Sequence, residues 1–335
     1  MAALKRPVAA APAAEDRLVS SLIDLMERGT APWRREWDGQ QSGHHVNLFS
    51  GRCYRGANPI LLTIGLHQRG ATLPYWCGAG EAKTHGLLPK RGSKAVIVLR
   101  PQVRRHSSTP EEQGPALPLA PVREERITKE RGPAERNERA WVRYQPVPLF
   151  NAEDLQGESL QGLIRARQEA EQPTRRSEPE RLALAEAVLR AWPVPVAHGG
   201  DRAFYNPKED RIHLPDRQSF HTSSALYATW AHEALHSTGH GSRLARDLTG
   251  CLGSEAYARE ELVAELGAVL LGERLEIGSD VNNHAAYLAE WIQLLRQSPK
   301  LLYKVLSEAR QAADWICPPQ LPTDSASESN PEAAV

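Results

Sequence analysis

Residues 228–240 read ATWAHEALHSTGH, and no other feature limits what this chain can fold into as tightly. The preceding SSALYATW is largely apolar, so the pattern predicts a buried helix over 223–238. On such a helix His232 and His236 stand at i and i+4, one turn apart on one face. Two imidazoles so placed can point at a single ion, and Zn²⁺ takes neutral nitrogen ligands in a tetrahedral shell. Glu233 then lies beside the open coordination position, where it can take a proton from a water whose pKa the metal has lowered.

Two histidines leave a third ligand to find. His240 fits poorly: the metzincin spacing HExxHxxGxxH needs a histidine where this chain has Ser242, and the helix is expected to stop at Gly239. Downstream, YAREELVAELGAVLLGERL predicts a strongly amphipathic helix, with Glu260, Glu261 and Glu265 among Leu262, Val263, Ala264, Leu266 and Ala268. Glu261 and Glu265 are one turn apart, and a carboxylate pair on a mostly buried face is costly unless something positive meets it. A metal and a histidine N–H would do so. Glu261 is therefore assigned as third ligand and Glu265 as the acceptor that orients a ligand histidine. Glu265 and His240 stay open as alternative third ligands, and the donor set admits Mn²⁺, Co²⁺ or Ni²⁺ as well as Zn²⁺.

The N-terminal half has a different chemistry. Formal net charge is zero, yet residues 1–110 hold 16 Lys and Arg against 7 Asp and Glu, while residues 221–335 hold 8 against 15. Basic charge gathered in one half suggests that this half meets polyanions. In APWRREW…NLFSGRCYRGANP, cations interleave with rings: Trp33, Trp37, Phe49, Tyr54 and, later, Trp76 stand near Arg34, Arg35, Arg52, Arg55, Lys83, Lys90, Arg91 and Lys94. Single-stranded nucleic acid is bound by that combination, cations tracking phosphates and rings stacking on bases. Asn47 and Asn58 can add hydrogen bonds or serve as turn residues. The same rings would also suit a small core, since tryptophans are commonly buried.

A chain of 335 residues is long for one domain, and two are expected. The periodicity predicts helices at 16–29 and at ILLTIGLHQRG, strands at SKAVIVLRPQ and around 141–150, a helix at RLALAEAVLRAWP, and two short strands joined by a tight NPKED turn. Residues 102–138, rich in Pro and charge, read as a flexible insertion. The expected layout is a disordered leader (1–14), a first domain (15–160), a linker (161–180), a second domain (181–317) and a disordered tail (318–335). Cys53, Cys77, Cys251 and Cys317 form no CxxC, which disfavours a disulfide framework or a cysteine zinc site and fits a reducing cytoplasm. No run reaches the roughly 18 apolar residues of a membrane span.

HEALHSTGH…RLARD followed by YAREELVAEL resembles the zincin-like metallopeptidase domain of antirestriction proteins of the ArdC type, found on plasmids, phages and other mobile elements. ELVAE at 261–265 is similar to the signature that follows HExxH in zincins with a glutamate third ligand, and AFYNPKEDRIHLP resembles the strand pair before the metal helix. In zincins an edge strand near the site can hold a substrate backbone. PW…N..SGR.YRG.N, the later Trp76 and the GSK…V strand are similar to the ArdC N-terminal domain, which binds single-stranded DNA without sequence preference. The match departs at 102–138 and at Cys77 and Gly78.

The resemblance implies an α+β chain: an α+β domain for single-stranded DNA, then a mostly helical zincin-like domain with a short β-sheet. It implies protection of incoming DNA from restriction, and peptide hydrolysis on an unidentified protein substrate, with Tyr257, His284 or Tyr287 as oxyanion donors. The DNA-binding set expected on this basis is Trp33, Arg34, Arg52, Tyr54, Arg55, Asn58, Trp76 and Lys94. Two other readings stay open. One is a DNA-binding shield whose metal is structural, and the other is a replication or priming accessory of conjugative transfer.

Overall fold

The chain divides into two units, Met1–Glu178 with Asn282–Tyr303 and Pro179–Val281 with Lys304–Val335. A computed structural model describes residues 14–29, 31, 33, 44–105, 140–171, 176–278 and 287–319. Nearly all of the expected leader, most of the expected insertion and tail, and Arg34, Arg35, Trp37 and His284 lie outside these residues.

In the first unit, helix α1 (Ala14–Met26) turns Val19, Leu22, Ile23 and Met26 inward. Strand β1 (Val46–Asn47) pairs in parallel with β2 (Tyr75–Cys77). Between them runs α2 (Asn58–Arg69), which opens on Pro59 and closes on the left-handed Gly70. After β2 come α3 (Ala79–Thr84), the short β3 (Leu88–Pro89) and a long antiparallel ribbon of β4 (Val96–Arg105) and β5 (Ala140–Asn151). Strand pairing thus continues to Arg105, into the stretch expected to be a flexible insertion. The sheet order is β1-β2-β5-β4.

Alternation along YWC shows why the sheet is covered on both faces. Tyr75 and Cys77 join one cluster with Val46, Leu48, Ala82, Leu155 and Leu160, whereas Trp76 joins the other with Leu62, Leu66, Val96, Val98 and Leu149. Beyond β5, β6 (Leu155–Gln156) pairs with β3, and α4 (Leu160–Glu171) buries Leu160 and Ile164. The sequence expectation placed a linker over 161–180; residues 160–171 instead form this helix, because Leu160 and Ile164 complete the cluster around Tyr75.

The edge of β4 is closed by a side chain. Asn58 Nδ2 donates to the Leu99 carbonyl at 3.0 Å, and the Leu99 N–H donates to Asn58 Oδ1 at 2.8 Å. Leu99 therefore points its amide away from β5, so its pair with Pro146 is not hydrogen-bonded, and by alternation neither is Ile97 with Pro148. Both prolines occupy positions where β4 asks for no donor, which explains how QPVPL is tolerated inside a strand.

The second unit begins with α5 (Glu178–Ala191) and a three-stranded sheet of β7 (Val196–His198), β8 (Phe204–Asn206) and β9 (Arg211–Leu214), ordered β7-β9-β8. The NPKED turn is held by Asn206 Oδ1 accepting from the Lys208 N–H at 3.0 Å, with Asp210 at φ 46°. Helix α6 (Ser223–Ser237) starts on the Thr222 cap, and α7 (Glu255–Leu275) on the Ser254 cap. Helix α7 is buried without a break from Glu260 to Gly272, so the expected amphipathic helix is instead a core helix. The amphipathic α8 (Leu288–Gln297), which the sequence expectation gave to the second domain, groups with the first unit, and α9 (Leu301–Ile316) follows it. In the first unit Trp291 of α8 packs on Trp33, with ring centroids 5.6 Å apart. No helix among the described residues is long and apolar enough to cross a membrane.

Candidate metal centre

The i, i+4 spacing on α6 brings the two histidine rings together, centroids 4.7 Å apart and nearly perpendicular. Their Nε2 atoms lie 3.1 Å apart. Helix α7 adds Glu261, with Oε2 at 3.6 Å from His232 Nε2 and Oε1 at 3.7 Å from His236 Nε2. Ligand bonds of about 2.0–2.1 Å in a tetrahedron imply edges of about 3.3 Å, and these separations bracket that value. Among the described residues His232, His236 and Glu261 are the group whose donor atoms converge closely enough for a metal ion. The donor set therefore fits a divalent cation.

The same cluster is densely charged. Glu233, Glu260 and Glu261 are buried beside the two histidines. Burial opposes a charge on His236, but Glu261, Glu260 and Glu233 outweigh it and push its pKa up to about 9. Burial also works against the Glu261 carboxylate, yet His236, His232 and a hydrogen bond from Tyr257 bring it down to about 2. Glu233 is the exception. Burial raises its pKa, and the two histidines and the Tyr205 N–H offset this only in part. One carboxyl is thus held as an anion and its neighbour is made a stronger base, which suits ligand and proton acceptor respectively. Tyr205 belongs to β8, an edge strand of its sheet, so the base lies against a strand with one open side.

Glu265, the expected acceptor for a ligand histidine, is fully buried on α7, and Glu260 lies 3.2 Å from His236 Nδ1. Glu260 is in turn gripped by Arg246, Nε to Oε2 at 2.8 Å and Nη2 to Oε1 at 2.7 Å. The sequence placed Glu260 on this helix without giving it a role, and RLARD contained the arginine. His240 turns to Ser242, Nδ1 to Oγ 2.8 Å, and lies 4.0 Å from Asp210; it is not in the converging group. Tyr257 does reach the centre, bonding to Glu261 one turn further along α7. Tyr287 falls in the first unit, against Trp291.

The expected DNA-binding set divides. Trp33 and Trp76 are both 0% exposed, because one is covered by Trp291 and the other lies on a central strand, so neither presents a face for a base to stack on. Asn58 is occupied on Leu99. Tyr54 is half-buried, its hydroxyl 3.5 Å from the Trp76 carbonyl. Arg52, Arg55 and Lys94 are exposed. Arg34, the remaining cation of the set, lies outside the described residues.

Comparison with known proteins finds a family model for each of two stretches of the chain. The model of the N-terminal domain of anti-restriction factor ArdC matches residues 12–147, and that of a zincin-like metallopeptidase matches 183–308. The antirestriction protein ArdC of plasmid R388 has a similar solved structure in its metal-free form, with a TM-score of 0.63 and 27% identity over 91% of this chain and 97% of that one. Its Mn(II)-bound form gives 0.61 and 28% over 90% and 96%. The DNA primase TraC of Escherichia coli is 33% identical over 321 residues, which is 94% of this chain but only 27% of that protein.

Proposed function

This chain is of the ArdC type, an ArdC N-terminal domain followed by a zincin-like metallopeptidase domain, and on that premise we propose that it protects incoming DNA from restriction by combining single-stranded DNA binding with metal-dependent peptide hydrolysis. The observation that carries the reading is the convergence of His232, His236 and Glu261 beside Glu233. His232, His236 and Glu261 hold the ion, Zn²⁺ in the first instance; Mn²⁺ is the metal of the R388 relative. When bound, the ion supplies Lewis acidity toward a peptide carbonyl and acidifies water. Glu233, buried beside these residues, is the group that would take a proton from water and pass it to the departing amine. A site kept only as a clamp has no use for such a base. The substrate is a protein, held along the open side of β8.

On the DNA side, exposed Arg52, Arg55 and Lys94 meet phosphates, and Tyr54 is the remaining ring of the expected set within reach of a base. The segment shared with TraC supports a second reading, an accessory of conjugative priming, but this chain spans only 27% of that protein. Protection of incoming DNA is to be measured with wild type and Glu233→Ala in cells carrying a restriction system, after both are shown to bind Zn²⁺ and single strands equally. Loss of protection in the variant is expected. Full protection without Glu233 would leave DNA binding as the protecting activity and would sink the hydrolytic reading.

A further inference from the structure

Helix α6 ends in the metal centre's own neighbourhood, and the turn that follows supplies most of the donors its last carbonyls need. Arg246 adds one more and ties this end to α7. Its Nη2 donates to the Leu235 carbonyl at 2.9 Å and its Nη1 to Thr238 Oγ1 at 2.8 Å, while the same guanidinium holds both oxygens of Glu260 on α7. Its side chain is 5% exposed and that of Glu260 10%, so the pair is shielded from solvent competition and the fork geometry is fixed on four sides. Gly239 leaves the room: a Cβ there would come within 3.0 Å of Arg246 Nη2 and 2.9 Å of Leu248 Cδ2. The glycine of HSTGH thus serves a side chain seven residues later.

Glu260 faces His236 from the side opposite the converging donors. Its Oε1 lies 3.2 Å from Nδ1, while Nε2 faces His232 and Glu261. An ionised carboxylate can only accept, so Nδ1 carries a proton, and an ion that takes the place of any proton on Nε2 meets the lone pair there. We propose that Arg246 and Glu260 are the positioning residues of the metal centre: Glu260 fixes the tautomer and rotation of His236, and Arg246 acts through Glu260 by anchoring it to the end of the metal helix. This rests on the reading of His232, His236 and Glu261 as ligands. Neither residue touches substrate, and both set how well the site binds its ion.

The test uses the whole chain and Zn²⁺ alone, with affinity read by competition against a chromophoric chelator and folding read by thermal unfolding without metal. Glu260→Gln and Arg246→Met are each expected to weaken Zn²⁺ binding by about 10- to 100-fold. In a Glu260→Gln background, Arg246→Met should then add less than about twofold, since its route to the metal is already cut. An equal loss in both backgrounds would show that Arg246 acts through the helix end and would overturn the relay. So would folded Glu260→Gln protein that binds Zn²⁺ within twofold of wild type. His236→Ala separates the two claims: wild-type affinity in that variant refutes the ligand assignment itself. If the variants fold poorly, long-range ¹H–¹⁵N spectra of the Zn²⁺-loaded wild type decide the matter. A proton on Nδ1 of His236 supports the proposal, and one on Nε2 overturns it.

Discussion

Replacing Trp76 by phenylalanine separates a core role from a stacking role in one substitution. The indole Nε1–H donates to His45 Nδ1 at 3.0 Å, and His45 Nε2 lies 2.8 Å from Thr63 Oγ1. An indole can only donate, so His45 must accept at Nδ1 and carry its proton on Nε2, which donates to the threonine. Phenylalanine removes the donor and leaves a buried ring nitrogen without it, a loss of about 1–3 kcal/mol. The smaller ring also vacates space beside Val96 and Leu149, adding on the order of 1 kcal/mol. A total of about 2–4 kcal/mol lowers Tm by roughly 5–15 °C in a unit of this size. Thermal unfolding followed by circular dichroism checks the shift, and fluorescence anisotropy with a labelled oligonucleotide checks binding below the transition. Tm should fall and affinity for single strands should stay unchanged. An unaltered Tm with weakened DNA binding would refute the reasoning, since phenylalanine would then have replaced an exposed stacking ring.

Asn58→Ala removes both hydrogen bonds on Leu99 and should cost about 1–3 kcal/mol in urea denaturation, with no loss of DNA affinity in the folded protein. Cys77 is buried, and burial pushes its thiol up to about 12. Iodoacetamide at pH 8 should therefore label the exposed Cys53 and Cys251 first, and Cys77 only after denaturation, as read by peptide mass spectrometry. Burial disfavours ionised Glu186, but hydrogen bonds from Arg217, Tyr227 and Arg190 bring its pKa from 4.5 down to about 2. A depressed carboxylate stabilises the fold above pH 4.5, and that contribution is lost as pH falls toward about 2. The urea midpoint should thus drop less between pH 5 and pH 3 in Glu186→Gln than in wild type.

What could be read from the sequence follows from how local each interaction is. The pairing of His232 with His236 is one helical turn, so the motif and its helix were legible together. The NPKED hairpin was legible for the same reason, since Asn206 bonds two residues on. Burial of the tryptophans was not. Trp33 is covered by a residue more than 250 positions away, and Trp76 is enclosed because YWC pairs with β1 on one side and β5 on the other. A loop rich in arginine and tryptophan has the same composition whether its rings face solvent or close a core. The arginines are less ambiguous, because a cation with no partner inside must remain outside.

Helix geometry alone says where Glu260 and Glu265 stand relative to Glu261. Two carboxylates one turn apart point the same way, so if Glu261 faces the ion then Glu265 lies on the same stripe, about 6 Å further along the axis. The position next to Glu261 is rotated from that stripe by about 100° around the helix and so turns toward the back of a ligand ring. Glu260 occupies it, 3.2 Å from Nδ1. Of this adjacent pair, Glu261 is thus turned to the converging donors and Glu260 to the back of His236. A buried second carboxylate is made tolerable by an arginine near the end of the metal helix, and RLARD places Arg246 there, on the Leu235 carbonyl and Glu260 together.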